Sequence, residues 1–141
     1  MISPELLFLM NINKVQSVIA RKFDSLSAHG LGFNDFVILY ILSQSPESKM
    51  RRIDLAEKIG VTASGITRLL NPLEKVGLVT RETNERDARV SYVLITLNGK
   101  KIFEEAKITA ELATNDILLS KKNKSLQTAS GLLSELGGNI K

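Results

Sequence analysis

The run from Leu55 to Leu69, Leu-Ala-Glu-Lys-Ile-Gly-Val-Thr-Ala-Ser-Gly-Ile-Thr-Arg-Leu, constrains this 141-residue chain more than any other segment. Two short helical patterns, about Arg51 to Ile59 and Thr62 to Val76, are separated only by Gly60-Val61. So tight a junction needs a residue free to take the left-handed backbone conformation, and Gly60 supplies it. Ala56 falls where the helices cross and where a larger side chain would push them apart. Leu55, Ile59, Val61, Ile66 and Leu69 fall on the inner face and fix the crossing angle. This is helix-turn-helix spacing, although an ordinary helical hairpin would show it equally well.

The outer face of the second helix carries Thr62, Ala63, Ser64, Thr67, Arg68 and Asn71. Small polar side chains let a helix lie deep in a major groove of duplex DNA, and Arg68 can reach a guanine edge or a phosphate. The elements that follow decide between the two readings. Leu78–Glu82 and Val90–Thr96 are rich in Val, Thr, Tyr and Ile and predict two strands, with the polar residues 83–88 between them as a hairpin tip. A helix-turn-helix followed at once by a basic hairpin is a winged helix.

The tip holds Arg86-Asp87-Ala88-Arg89, and Arg81 lies near the foot of the hairpin. A long arginine on a narrow ribbon can enter a minor groove, where negative potential is focused. A carboxylate is out of place in a phosphate-binding loop, so Asp87 is expected to pair with a neighbouring arginine and hold it extended. Lys49, Arg51 and Arg52 at the entry to the first short helix, with Arg81, are candidate phosphate contacts from the flank. Charge supports this placement: the chain is +4 overall, and residues 49–91 hold nine basic and six acidic groups against three and four in residues 1–48.

Around this segment the chain reads as helices. Apolar residues at Phe8, Ile12, Val15, Ile19, Phe23 and Leu26 mark a stripe on a first helix, about Pro4 to Ala28, with Ser3 as N-cap and His29-Gly30-Leu31-Gly32 as its end. A second helix, about Asn34 to Ser45, is apolar nearly all round, so it should be central; Phe36 and Tyr40 on it are core aromatics or the lining of a pocket. Thr96 is placed to cap a long helix from about Leu97 to Leu119. After Lys121-Lys122-Asn123-Lys124, read as a solvated turn, a last helix repeats Leu126, Ala129, Leu133, Leu136 and Ile140. His29 reads as a loop residue. The first and last helices carry apolar stripes with no evident partner inside the winged lobe. They pack on each other or on a second copy of the chain, and the second arrangement would set two probe helices about one DNA turn apart, roughly 34 Å.

Composition closes off other classes. With no cysteine and one histidine, disulfide frameworks, thiol chemistry and histidine- or cysteine-rich metal sites are excluded, and no catalytic set, metal site or cofactor motif is recognisable. Leu6 to Met10, the longest early apolar run, falls far below the roughly 20 residues of a membrane span and lacks the basic flank of a signal peptide. A cytoplasmic location is therefore expected, with no membrane partner.

The run Arg81-x-x-Asn84-x-x-Asp87-Ala88-Arg89-x-x-x-Val93-x-Ile95-Thr96-x-x-Gly99 resembles the wing signature of MarR-type bacterial transcription regulators. Ile66 to Val79 is similar to that family's recognition helix and its exit, and helix order and length agree along the whole chain. The resemblance implies a mainly α fold with a small β-hairpin wing, a single domain over residues 1–141. Within it a winged helix-turn-helix lobe spans 33–97, and 1–32 and 98–141 form dimerisation helices. It implies a homodimer on palindromic operator DNA, usually a repressor, often released by a small aromatic or phenolic effector, and without enzymatic activity. Carried over by position, Thr62, Ser64, Thr67 and Arg68 would read the major groove, and Arg89 the minor groove with Asp87 as its support. Asn84 and Ala88 depart from the family, where an acidic residue and a second arginine are frequent, and predict a weaker grip. Pro72 removes one backbone bond from the probe helix and predicts a bend after Asn71. The competing use of such a fold is protein–protein binding without DNA.

Overall fold

A computed structural model describes residues 1–118 and 123–141. Its helices are α1 (Pro4–Lys22), α2 (Phe33–Gln44), α3 (Arg52–Ile59), α4 (Ala63–Lys75), α5 (Leu97–Ile117) and α6 (Asn123–Glu135). Its strands are β1 (Lys49–Arg51), β2 (Val79–Thr83) and β3 (Ser91–Ile95), in the antiparallel order β1-β3-β2. The fold is mainly helical with a small hairpin, as the sequence predicts. The third strand, β1, was not foreseen. It pairs Met50 with Val93, while Arg81 of β2 pairs with Val93 from the other side.

The helix starts follow local chemistry. Ser3 accepts a hydrogen bond from the Leu6 amide at 3.1 Å and caps α1. The Asp35 carboxylate accepts the Gly32 amide at 2.8 Å at the head of α2. Thr96 accepts from the Gly99 amide at 2.9 Å to cap α5, and its hydroxyl donates to the Gly77 carbonyl at 2.6 Å. That second bond ties the start of α5 to the foot of the wing.

Two boundaries differ from the sequence reading. The first helix stops at Lys22, and Asp24–His29 continues as a 3-10 turn that still buries Leu26, so the apolar stripe outlasts the α geometry. The last helix stops at Glu135. There the Gly137 and Gly138 amides bond back to Ser134 and Leu133, with Gly137 at φ 106°, which leaves Leu136 and Ile140 beyond it. The expected end of α5 at Leu119 and the Lys121-Lys122 turn lie outside the described residues.

The core surrounds α2, whose Ile38, Leu39, Ile41 and Leu42 are all buried. Leu55, Ile66, Leu70, Leu73, Val79, Val93, Ile95 and Phe103 close around them. Phe36 stacks on Phe103 at 5.1 Å and Tyr40 tilts against the same ring at 6.2 Å, so both aromatics serve packing between α2 and α5. His29, at the end of the 3-10 turn, meets the Thr109 hydroxyl of α5 at 2.7 Å. By contrast α1 buries none of its residues, and every residue of α6 from Lys124 to Glu135 is exposed.

Candidate nucleic-acid interface

The turn between α3 and α4 is built as its residues dictate. Gly60 takes φ 87°, and the Gly60 and Val61 amides both bond to the Ala56 carbonyl at 2.9 Å. Ala56 is buried at the crossing, with Leu55 and Ile66 beside it. The Thr62 hydroxyl accepts the Gly65 amide at 3.1 Å and caps α4, and it shares a 3.1 Å hydrogen bond with Ser64. Thr62, Ala63, Ser64, Arg68 and Asn71 are exposed along α4, and Thr67 is half-buried. Pro72 lies inside α4, which continues to Lys75.

The hairpin tip is held by two carboxamide and carboxylate turns. Asn84 Oδ1 accepts the amides of Arg86 and Asp87 at 2.8 and 3.3 Å. Asp87 Oδ1 then accepts both the amide and Nε of Arg89, at 3.0 and 3.1 Å, while Oδ2 accepts Nη2 at 3.2 Å. This forked pairing matches the partner expected for Asp87. The hydrogen bonds from Arg89 hold the Asp87 carboxyl below the ordinary carboxylate value. The Arg89 side chain nevertheless stays 91% exposed. Asn84 therefore makes the turn at a position that the family comparison marked only as a departure. An asparagine at the head of a polar tip was the sequence signal for that role.

The basic residues split into two groups. Arg51, Arg68 and Arg86 are exposed and make no ion pair among the described residues. Lys49, Arg52 and Arg81 are engaged with acids. Lys49 binds Glu82 at 2.9 Å and Glu47 at 3.3 Å, which raises its pKa, and it sits 5.1 Å from the Tyr92 ring centre. Arg81 Nε donates to both oxygens of Glu74, at 3.0 and 3.2 Å, and keeps a half-exposed side chain.

Arg52 departs most from a flanking phosphate contact. Its side chain is 16% exposed, its Nη1 lies 3.5 Å from Glu74, and its Nη2 donates to Thr67 Oγ1 at 2.9 Å. Burial pulls its pKa down, the nearby Arg81 adds to that, and Glu74 opposes both. Glu74 thus links α4 to the wing strand β2 and to the start of α3. Sequence reasoning missed it, because its partners lie seven residues ahead and 22 behind with no periodicity to mark them.

Five of these residues share one surface. Arg51, Arg52, Ala63, Thr67 and Arg89 line a single open groove between the head of α4 and the base of the wing. The probe helix and the tip arginine face the same side of the molecule.

The MarR family profile matches residues 33–91, which span α2 through the first residue of β3. An uncharacterized HTH-type transcriptional regulator of Bacillus subtilis, YdgJ, is 25% identical over 138 residues, covering 98% of this chain and 82% of the relative. The solved structure of the regulator BldR from Sulfolobus solfataricus superposes with a TM-score of 0.78 at 29% identity, over 93% of this chain and 96% of that one. Sco3205 of Streptomyces coelicolor, a MarR family regulator crystallised in complex with DNA, shares the fold with a TM-score of 0.81 at 19% identity, over 96% and 87% of the two chains. Profile, relatives and wing geometry agree: residues 33–91 match the MarR family, and the chain is similar along nearly its whole length to HTH-type transcriptional regulators.

Proposed function

We propose that the protein is a homodimeric repressor that binds palindromic operator DNA, with α4 in the major groove and Arg89 of the wing in the adjacent minor groove. The observation that carries this reading is the shared groove, in which Ala63 and Thr67 of the probe helix and Arg89 of the tip border one concave surface. Arg51 lines the same groove, and Arg68 on α4 and Arg86 at the tip are exposed and supply further charge for phosphates. Dimerisation is supported by the bare apolar faces of the terminal helices: Leu6, Leu7, Phe8, Met10 and Val15 on α1, and Leu126, Leu132 and Leu133 on α6. Soluble monomers rarely leave such continuous apolar surface open to water. Residues 33–97 then form the DNA-binding lobe, and the segments on either side pair the two copies.

The effector site we assign to this reading is the concavity where the 3-10 turn meets α5, lined by Lys22, Ser25, Thr109, Ala113, Asp116 and Ile117. Its mixed apolar and charged lining suits a small aromatic acid. The function as a whole is tested by selecting bound fragments from the source genome with the full-length protein. The expected product is a family of fragments sharing an inverted repeat. Recovery of no fragment above background at low salt overturns the reading and leaves protein–protein binding in its place.

A further inference from the structure

We infer that Thr67 recognises the 5-methyl group of a thymine, because Arg52 occupies its hydroxyl and leaves its methyl as the branch available to a base edge. The inference rests on the reading of α4 as the DNA-reading helix and says what that helix reads.

A threonine hydroxyl has one proton to donate and two lone pairs to accept with. Thr67 gives its proton to the Ala63 carbonyl at 3.1 Å and accepts Arg52 Nη2 at 2.9 Å. Arg52 is poorly placed to let go. Its side chain is mostly buried, Glu74 holds it from the other side, and its Nη1 already lacks a hydrogen-bond partner. Release of Thr67 would leave a second guanidinium nitrogen unpaired, which is costly away from water. The hydroxyl therefore has no proton for the N7 or O6 of a purine or the O4 of thymine, and its one remaining lone pair serves only an adenine or cytosine amino group, a contact that uracil substitution leaves untouched. The other heavy branch on the Thr67 Cβ is a methyl. One turn earlier on the same face stands Ala63, exposed and carrying only a methyl. The neighbouring hydroxyls of Thr62 and Ser64 are bonded to each other, and Thr62 also caps the helix. The head of α4 thus offers two methyl groups at helical spacing, Ala63 and Thr67, beside the one proton that the Thr62–Ser64 pair leaves uncommitted. Among the four bases only thymine presents a methyl in the major groove, and apolar contact is how a protein reads it.

The probe is a duplex recovered by genomic selection, synthesised with thymine and then with uracil at one thymine of each half-site at a time. Uracil removes the methyl and nothing else. Thr67→Ser removes the protein's methyl and keeps both hydrogen bonds. At one symmetric position uracil should weaken wild-type binding about fourfold per half-site, which corresponds to the ~0.8 kcal/mol of one buried CH₂ group. Thr67→Ser should weaken binding of the thymine duplex by the same factor, and uracil at that position should then cost nothing more. A wild-type scan that is flat at every thymine overturns the inference, as does a Thr67→Ser protein that keeps every uracil-sensitive position. Should Thr67→Ser fold poorly, the wild-type scan still decides. Wild-type protein that binds no genomic fragment overturns the DNA reading itself, whereas tight binding with a flat scan overturns the methyl readout alone.

Discussion

Arg89 is presented rather than merely exposed. Its guanidinium is aligned by two oxygens of Asp87, and its amide is fixed by the same carboxylate. Less side-chain freedom remains to be lost when it enters a groove. Arg89→Ala should weaken operator binding by about 1–3 kcal/mol, read by fluorescence anisotropy, with the melting temperature unchanged. Asp87→Asn should weaken it less, since the arginine survives but loses its alignment. The pair also sets a pH expectation. The carboxyl's pKa is lowered in the folded protein, so the pair's contribution is present above the unfolded value and lost only as pH falls through the folded one. The affinity ratio of wild type to Asp87→Asn should therefore hold constant from pH 8 down to about pH 5. A ratio that collapses within that range would mean the pairing does not exist in solution.

Among the elements, the junction of wing and α5 is the least forgiving. Gly99 lies in the first turn of α5, packed against the Leu78 carbonyl and the Ile95 side chain, and an added Cβ would collide with that carbonyl. Backbone cannot yield as a flexible side chain can, so Gly99→Ala should destabilise the protein by at least about 2 kcal/mol, seen as a lower urea midpoint. Such elements differ in how plainly the sequence announced them. The crossing of α3 on α4 was legible because Ala56, Gly60 and Ile66 each have a steric reason at a fixed offset. The caps Ser3 and Thr96 were legible because their oxygens serve amides three residues away. β1 was not, since three residues cannot display a period of two. Glu47 and Ser48, both at φ 58°, turn the chain into it without a glycine to mark the place. The inward turn of Arg52 was hidden for another reason: a basic residue at a helix start looks solvated until its distant acid, Glu74, is brought beside it. The candidate interface was thus readable where its chemistry is local, and opaque where it depends on residues far apart in the chain.

For the molecule as a whole, the decisive quantity is the apolar surface left on the terminal helices. Light scattering should give a mass of twice 15.5 kDa for the wild type. The double change Phe8→Asp and Leu133→Asp should shift it toward one chain and reduce binding of the full inverted repeat to that of a half-site. A wild-type mass of 15.5 kDa at micromolar concentration would sink the two-fold arrangement. The nakedness of α1 carries a further consequence. A 19-residue helix that buries no residue fully, and meets the core of its own chain through the half-buried Ile19, draws little stability from that chain. If two copies pair through it as proposed, a lone subunit carries a fraying arm open to proteases until it meets a second. On that reading, survival in the cell depends on the rate at which copies meet, and scarce protein is cleared faster than abundant protein.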